Sequence, residues 1–172
     1  SELSATVEHN SLAVRVTVKE DLTSKITKRA LHGLIRFCSL HEVEVHTWVS
    51  IPCTSGCRWR AINTAMGIHT GDDELTDALI DAAVAICEHT DRTGNTFSWE
   101  WPHGNMLWHD RRVMTLLARR GAVDCIASTA ALGLSFRAKV NDELDDVFLR
   151  KRWRIATTHP GIPVELGPYE CV

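Results

Sequence analysis

The stretch Thr96-Phe97-Ser98-Trp99-Glu100-Trp101 predicts a β-strand, which Pro102 and Gly104 then stop. Helical patterns lie on both sides of this strand. The apolar positions before it are Leu75, Leu79, Ile80, Ala83, Val84 and Cys87, and those after it are Val113, Leu116 and Leu117, closed by Gly121. A strand between two amphipathic helices favours a chain that alternates strand and helix.

The same alternation extends outward along the chain. An earlier helix can be capped by Thr23 or Ser24, and one of its faces is shared by Ile26, Ala30, Leu34, Ile35 and Cys38. The further predicted strands are residues 13–18, 43–51, 123–127 and 153–157, with a polar stretch and an acidic cluster at 142–146 before the last of them. These patterns predict a three-layer α/β fold. Its sheet would be mainly parallel, with five to six strands, helices on both faces and an antiparallel strand among the last two.

Composition limits the classes of partner. The chain has 172 residues, 44% of them hydrophobic, and a formal net charge of −3, so we expect a single domain without the overall charge of a nucleic-acid binder. Any contact with nucleic acid would be local, at Arg111-Arg112, Arg119-Arg120 or residues 150–154. No apolar run approaches the ~20 residues of a membrane span. We expect an intracellular protein with no membrane partner.

The six cysteines are scattered, and most lie in apolar runs. In a chain with a sizeable core this favours reduced, buried thiols. Cys53 and Cys57 are closely spaced, but no second pair with zinc-site spacing follows them. The sequence therefore predicts no metal site.

Four short motifs follow one another in order, each beside a strand-like run. They are Glu20-Asp21-Leu22-Thr23, Ser50-Ile51-Pro52-Cys53-Thr54, Phe97 to Pro102, and Arg150-Lys151-Arg152-Trp153-Arg154. Together they supply a cysteine nucleophile, a carboxylate and an Arg-x-Arg pair, which are the groups needed to attack a nucleobase covalently. Since sites in such sheets gather at the carboxyl ends of strands, we expect Cys53, Glu100 and Arg152 or Arg154 to converge there.

In this order the motifs resemble the catalytic half of a cytosine-5 DNA methyltransferase, over residues 20–158. The resemblance implies a Rossmann-like core in which Cys53 attacks carbon 6 of cytosine and Glu100 holds the ring nitrogen. Arg152 and Arg154 would support the intermediate. The implied cofactor is S-adenosylmethionine, in a site bordered by Glu8, Asn10, Asp21 and Pro52. The implied substrate is DNA or RNA, single-stranded or locally unpaired, because the target base must leave the duplex.

Within the resemblance, the whole chain (1–172) is one methyltransferase-like domain. Residues 1–12 are a degenerate cofactor-loop region, 13–158 the core and 159–172 a tail. The chain departs from the family in three ways: it lacks a Gly-x-Gly loop near its start, it has Trp101 in place of an asparagine, and no target-recognition domain follows Thr158. We therefore expect weak or no binding of S-adenosylmethionine by this chain alone.

Three function classes remain open. The first is a methyltransferase-like enzyme that acts on a nucleobase through Cys53. The second is a non-catalytic module, derived from a methyltransferase, that binds nucleic acid or protein. The third is a cysteine hydrolase or protease released from a polyprotein, with Cys53 as nucleophile and His46, His103 or His109 as base.

Overall fold

A computed structural model describes residues 3–6, 11–17, 19–57, 60–68, 72–128, 135–140, 143–148 and 151–169. The strands in these ranges are β1 (Leu3–Thr6), β2 (Ser11–Val14), β3 (His46–Val49), β4 (Thr96–Pro102), β5 (Val123–Ser128), β6 (Ser135–Val140), β7 (Glu143–Phe148) and β8 (Arg152–Thr157). The helices are α1 (Lys25–Leu40), α2 (Arg60–Ala65), α3 (Asp73–Arg92), α4 (Arg111–Arg120) and α5 (Gly161–Leu166). The fold is mixed α/β, and no described helix is long and apolar enough to cross a membrane.

The central sheet has four strands in the order β3-β4-β8-β5. β3 and β4 are parallel, whereas β8 is antiparallel to both of its neighbours. The predicted antiparallel strand among the last two is thus confirmed in β8. Three of the four strands, β3, β4 and β5, run in the same direction, as the prediction of a mainly parallel sheet requires. The predicted count of five to six strands is wrong for the described residues, because the remaining strands form separate pairs.

Those separate pairs explain the smaller sheet. β2 pairs with β1 in a two-stranded sheet of its own, so the strand predicted at 13–18 does not join the central sheet. β6 and β7 form a second antiparallel pair where a polar stretch was expected. Their register pairs Ser135 with Phe148 at one end and Val140 with Glu143 at the other.

Side chains of β4 divide between two environments. Phe97, Trp99 and Trp101 are buried in one cluster with residues of α3 and α4, and Trp99 and Trp101 meet edge to face at 5.2 Å. We call this side of the sheet the helix face. The intervening residues Ser98 and Glu100 point to the opposite side, the second face, because side chains alternate along a strand.

Helix α1 begins where the sequence predicts, but most of the face that was expected to be buried is exposed. Ser24 caps it by accepting a hydrogen bond from the backbone N–H of Thr27. Of the five apolar positions expected on its buried face, Ile35 is buried, whereas Ile26 is 82% exposed. The reason is that α1 packs mainly on α3 rather than on the sheet.

Candidate functional site

The Pro-Cys motif lies directly after β3, at the carboxyl end where the sequence predicts it. Pro52 is exposed, and Cys53 begins a 3-10 turn over Thr54–Gly56. The Cys53 side chain is half-buried and packs against the hydrophobic cluster of the helix face. The five cysteines that the structure describes are all free thiols.

Three contacts hold this loop in place. The Trp101 indole N–H donates to the carbonyl of Ile51 at 3.0 Å, and the Asn105 amide donates to the carbonyl of Cys53 at 2.7 Å. Asn105 is only 5% exposed, and its other amide atom caps a second 3-10 turn by accepting from the N–H of Leu107. Gly56 packs so closely that a Cβ atom there would overlap the Asn105 side-chain oxygen. The loop is therefore fixed from both sides.

Glu100 does not share the environment of Cys53. It is on the second face, where its carboxylate accepts a 2.8 Å hydrogen bond from the indole of Trp48. Cys53 contacts the cluster on the helix face instead. The predicted convergence of Cys53 with Glu100 is wrong, because Glu100 alternates with Trp99 and Trp101, which occupy the core.

Arg154 lies on the helix face but is held by other partners. It is paired with Trp101 across β4 and β8, and its guanidinium makes two hydrogen bonds to Asp124, at 2.9 and 2.8 Å. The same group lies 4.3 Å from the ring centre of Trp108. Arg152, two residues before it on β8, is on the same face and is exposed, and its carbonyl accepts from the backbone N–H of His103. Neither arginine lies on the face of Glu100, so the predicted cluster of four catalytic side chains is not assembled.

The second face carries a polar network of its own. The ring nitrogens of His46 hydrogen-bond Thr96 at 2.8 Å and Ser98 at 3.0 Å, and Ser98 donates to Thr157. Burial and, to a lesser extent, the nearby His159 lower the pKa of His46 to about 4. The His46 ring is thus neutral, and both of its nitrogens are hydrogen-bonded to strand β4. In the described part of the chain, no histidine hydrogen-bonds Cys53. The arrangement gives no support to a cysteine hydrolase.

Four tryptophans lie beside the motifs in the sequence, where an indole ring could stack on a base: Trp48, Trp59, Trp99 and Trp101. Trp99 and Trp101 are core residues. Trp48 is 46% exposed, and Trp59 lies outside the described residues. Trp48 alone of this set, among the residues described, offers a ring to solvent.

An acidic cleft of about 300 Å³ borders the Pro-Cys loop. Its lining includes Ser55, Arg60, Asp73, Glu74, Asp77 and Asp110. Arg60 pairs with Asp73, and Arg112 binds Asp77, Asp81 and Asp110. The hydrogen bonds from Arg112 lower the pKa of Asp110. Carboxylates outnumber arginines here, so this surface repels a phosphate backbone.

The residues expected at a cofactor site are only partly described. Glu8 and Asn10 lie outside the described residues. Asp21 is exposed, and its carboxylate accepts from both the backbone N–H and the hydroxyl of Thr23. No group of three or more potential metal ligands occurs in the ranges that the structure covers. The structure therefore gives the positions of only Asp21 and Pro52 among the four residues expected at this site.

Sequence reasoning missed three residues that position the groups of this site. Gly56 and Asn105 position the Pro-Cys loop, and Asp124 positions Arg154. Asn105 and Asp124 act through contacts distant in sequence, which no local pattern reveals. The chain matches no protein-family model, no curated protein and no solved structure.

Proposed function

We propose that this domain is a non-catalytic binding module with a methyltransferase-like arrangement of strands, and that Cys53 is a structural thiol. The methyltransferase-like part rests on the order of the four motifs and on the antiparallel strand β8, which lies between β4 and β5. The order of the motifs carries the resemblance, and the alternation of strand and helix patterns predicts an antiparallel strand among the last two.

The non-catalytic part rests on one observation: the groups required for covalent attack are separated and engaged elsewhere. Glu100 binds Trp48 on the second face, and Arg154 binds Asp124 on the helix face. Attack on a pyrimidine needs a proton-handling group beside the ring that the thiolate attacks. In this arrangement Glu100 cannot exchange a proton with a nucleobase that Cys53 attacks.

The surroundings of Cys53 favour the same conclusion. The neighbouring cleft is acidic, which disfavours approach of a polyanion to the thiol.

The test is adduct formation with a single-stranded oligonucleotide that contains a 5-fluoropyrimidine, in the presence of S-adenosylmethionine. Fluorine at carbon 5 blocks release of a covalent adduct, so intact-protein mass spectrometry detects any attack. We expect the native chain to give no more adduct than Cys53→Ser does. A cytosine-5 methyltransferase in parallel shows that the probe is competent.

Cys57→Ser is the matched control, because Cys57 is exposed and lies on the same loop. An adduct that persists in Cys57→Ser and is lost in Cys53→Ser would overturn the proposal and establish the enzyme. Adduct lost only in Cys57→Ser would show non-specific reaction at an exposed thiol, which leaves Cys53 structural.

A further inference from the structure

The described residues include one surface where positive charge is left without counter-charge. It lies on α1, which contains Lys25, Lys28, Arg29, His32 and Arg36 and no acidic residue. At 3.6 residues per turn these five positions fall within an arc of about 100° on the helix. The chain as a whole is acidic, so this concentration is local. We call these residues, with His89 and Arg92 of α3, the basic ridge.

Within the described residues, the cations of the ridge have no ion pairs. Five of the arginines elsewhere are paired with carboxylates: Arg60, Arg112, Arg119, Arg120 and Arg154. Lys25, Lys28, Arg29, Arg36 and Arg92 make no such contact in the part of the chain that the structure describes. Unpaired surface cations on one side of one helix are available to an anionic partner.

Helix α3 extends the ridge and turns its acids away from it. The rings of His89 and His32 stack at 4.3 Å, and a ring nitrogen of His89 donates to the carbonyl of His32. The acids in the same turns, Glu88 and Asp91, pair with arginines of α4 on the other side of α3. Burial and the nearby charges of His89, Arg92 and Lys28 lower the pKa of His32, which agrees with an electropositive surface.

An aromatic pair adjoins the ridge at its end. Phe37 follows Arg36 in α1, so its side chain is turned about 100° around the helix from Arg36, onto the flank of the ridge. It is 59% exposed, and its ring centre lies 4.3 Å from that of the exposed His41. Exposed aromatic rings beside a basic track are the arrangement on which proteins stack unpaired bases. Charge and stacking thus occur together on one helix.

We infer that the basic ridge binds the backbone of single-stranded nucleic acid and that Phe37 stacks on one of its bases. The inference rests on the proposed function, since it names the partner of a binding module. From Lys25 to Arg36 the ridge is roughly 16 Å long at 1.5 Å per residue. That length matches about five nucleotides of a strand whose bases remain stacked, at the ~3.4 Å spacing of a strand in a duplex.

A lipid surface is the competing partner, because Ile26 and Leu40 are also exposed on α1. The basic residues, however, lie on only one side of this apolar stripe. The positions on its other side are uncharged: Thr27, Leu31, Leu34 and Cys38. The ridge continues instead across to α3, which fits a linear polyanion better than a flat bilayer.

The experiment uses the full chain and a labelled oligothymidylate of about 15 nucleotides, a length within the range that one single-strand binding site covers. Fluorescence anisotropy measures Kd at several salt concentrations. Each phosphate contact to a single strand adds ~0.7 to the slope of log K against log salt, so loss of two contacts weakens binding roughly twentyfold near 0.1 M salt. We expect at least this loss in Arg29→Glu/Arg36→Glu, with a shallower salt slope.

The control is Arg15→Glu/Lys19→Glu, which changes the net charge equally at two exposed basic residues that lie outside the ridge. We expect its Kd to stay within about threefold of the native value, since only long-range charge is altered. Phe37→Ala is expected to weaken binding about fivefold or more without altering the salt slope, because a stacked base contributes on the order of 1–3 kcal/mol. Circular dichroism confirms that each variant is folded.

Equal losses in the two double variants, no binding by the native chain, or tighter binding to phosphatidylserine vesicles than to the oligonucleotide would each overturn the inference. The proposed function fails separately. A Cys53 adduct would show that the domain is catalytic, but it would not contradict binding of nucleic acid at the basic ridge. Absence of both adduct and binding would leave a module whose partner is a protein.

Discussion

Replacing Trp101 with alanine is expected to lower the free energy of unfolding by about 3 to 5 kcal/mol, the range for truncating a buried aromatic residue. The side chain is 1% exposed and contacts two further tryptophan rings edge to face, those of Trp99 and Trp108. Its indole also donates to the carbonyl of Ile51. The substitution therefore removes core packing and one anchor of the Pro-Cys loop together.

Urea unfolding followed by circular dichroism measures this cost. Trp101→Phe is the matched variant, because it keeps an aromatic ring in the cluster but loses the hydrogen bond to Ile51. We expect it to cost clearly less than the alanine variant. A loss below about 1 kcal/mol for Trp101→Ala would place Trp101 at the surface and contradict the described core.

Gly56→Ala is expected to cost about 2 to 4 kcal/mol, through overpacking and the loss of a buried hydrogen bond. The added Cβ would overlap the Asn105 side-chain oxygen and lie 2.6 Å from a Leu107 side-chain carbon. Asn105 cannot move aside freely, because its amide is bonded to the carbonyl of Cys53 and to the N–H of Leu107. The loop and the second 3-10 turn would have to separate.

The control for Gly56 is Gly33→Ala, in the middle of α1. A Cβ atom at Gly33 meets nothing within 4 Å. Alanine favours a helix over glycine by about 1 kcal/mol, so this variant should be stabilised. Comparable destabilisation by the two substitutions in thermal unfolding would show that the close packing at Gly56 does not exist.

The parts of the fold that the sequence predicts are those with strong local patterns. β4 was predicted within one residue, and α4 has its apolar residues buried and its end at Gly121, whose φ of 62° suits glycine. The β6–β7 pair was missed because charged residues hid the alternation. The burial of α1 was misjudged because its amphipathic pattern marks an apolar face but not whether anything covers it.

The candidate site shows the same division between local and distant information. Pro52 cannot continue a central strand, so the sequence alone predicts that Cys53 lies just after the strand end. The orientation of Glu100 could have been predicted, since a residue between two core tryptophans on a strand must face the other way. The pairing of Arg154 with Trp101 and Asp124 depends on β8 lying between β4 and β5, which no local pattern reveals.

Glu100 and Cys53 belong to different environments, Glu100 on the second face and Cys53 against the cluster of the helix face. Two indole groups report on them separately: Trp48 on Glu100, and Trp101 on the loop that carries Cys53. In two-dimensional proton–nitrogen spectra, Glu100→Gln should move the Trp48 indole signal far more than that of Trp101. Cys53→Ser should do the reverse. If each substitution moved both signals by a comparable amount, Glu100 and Cys53 would form one site, which contradicts their separation on two faces of the sheet.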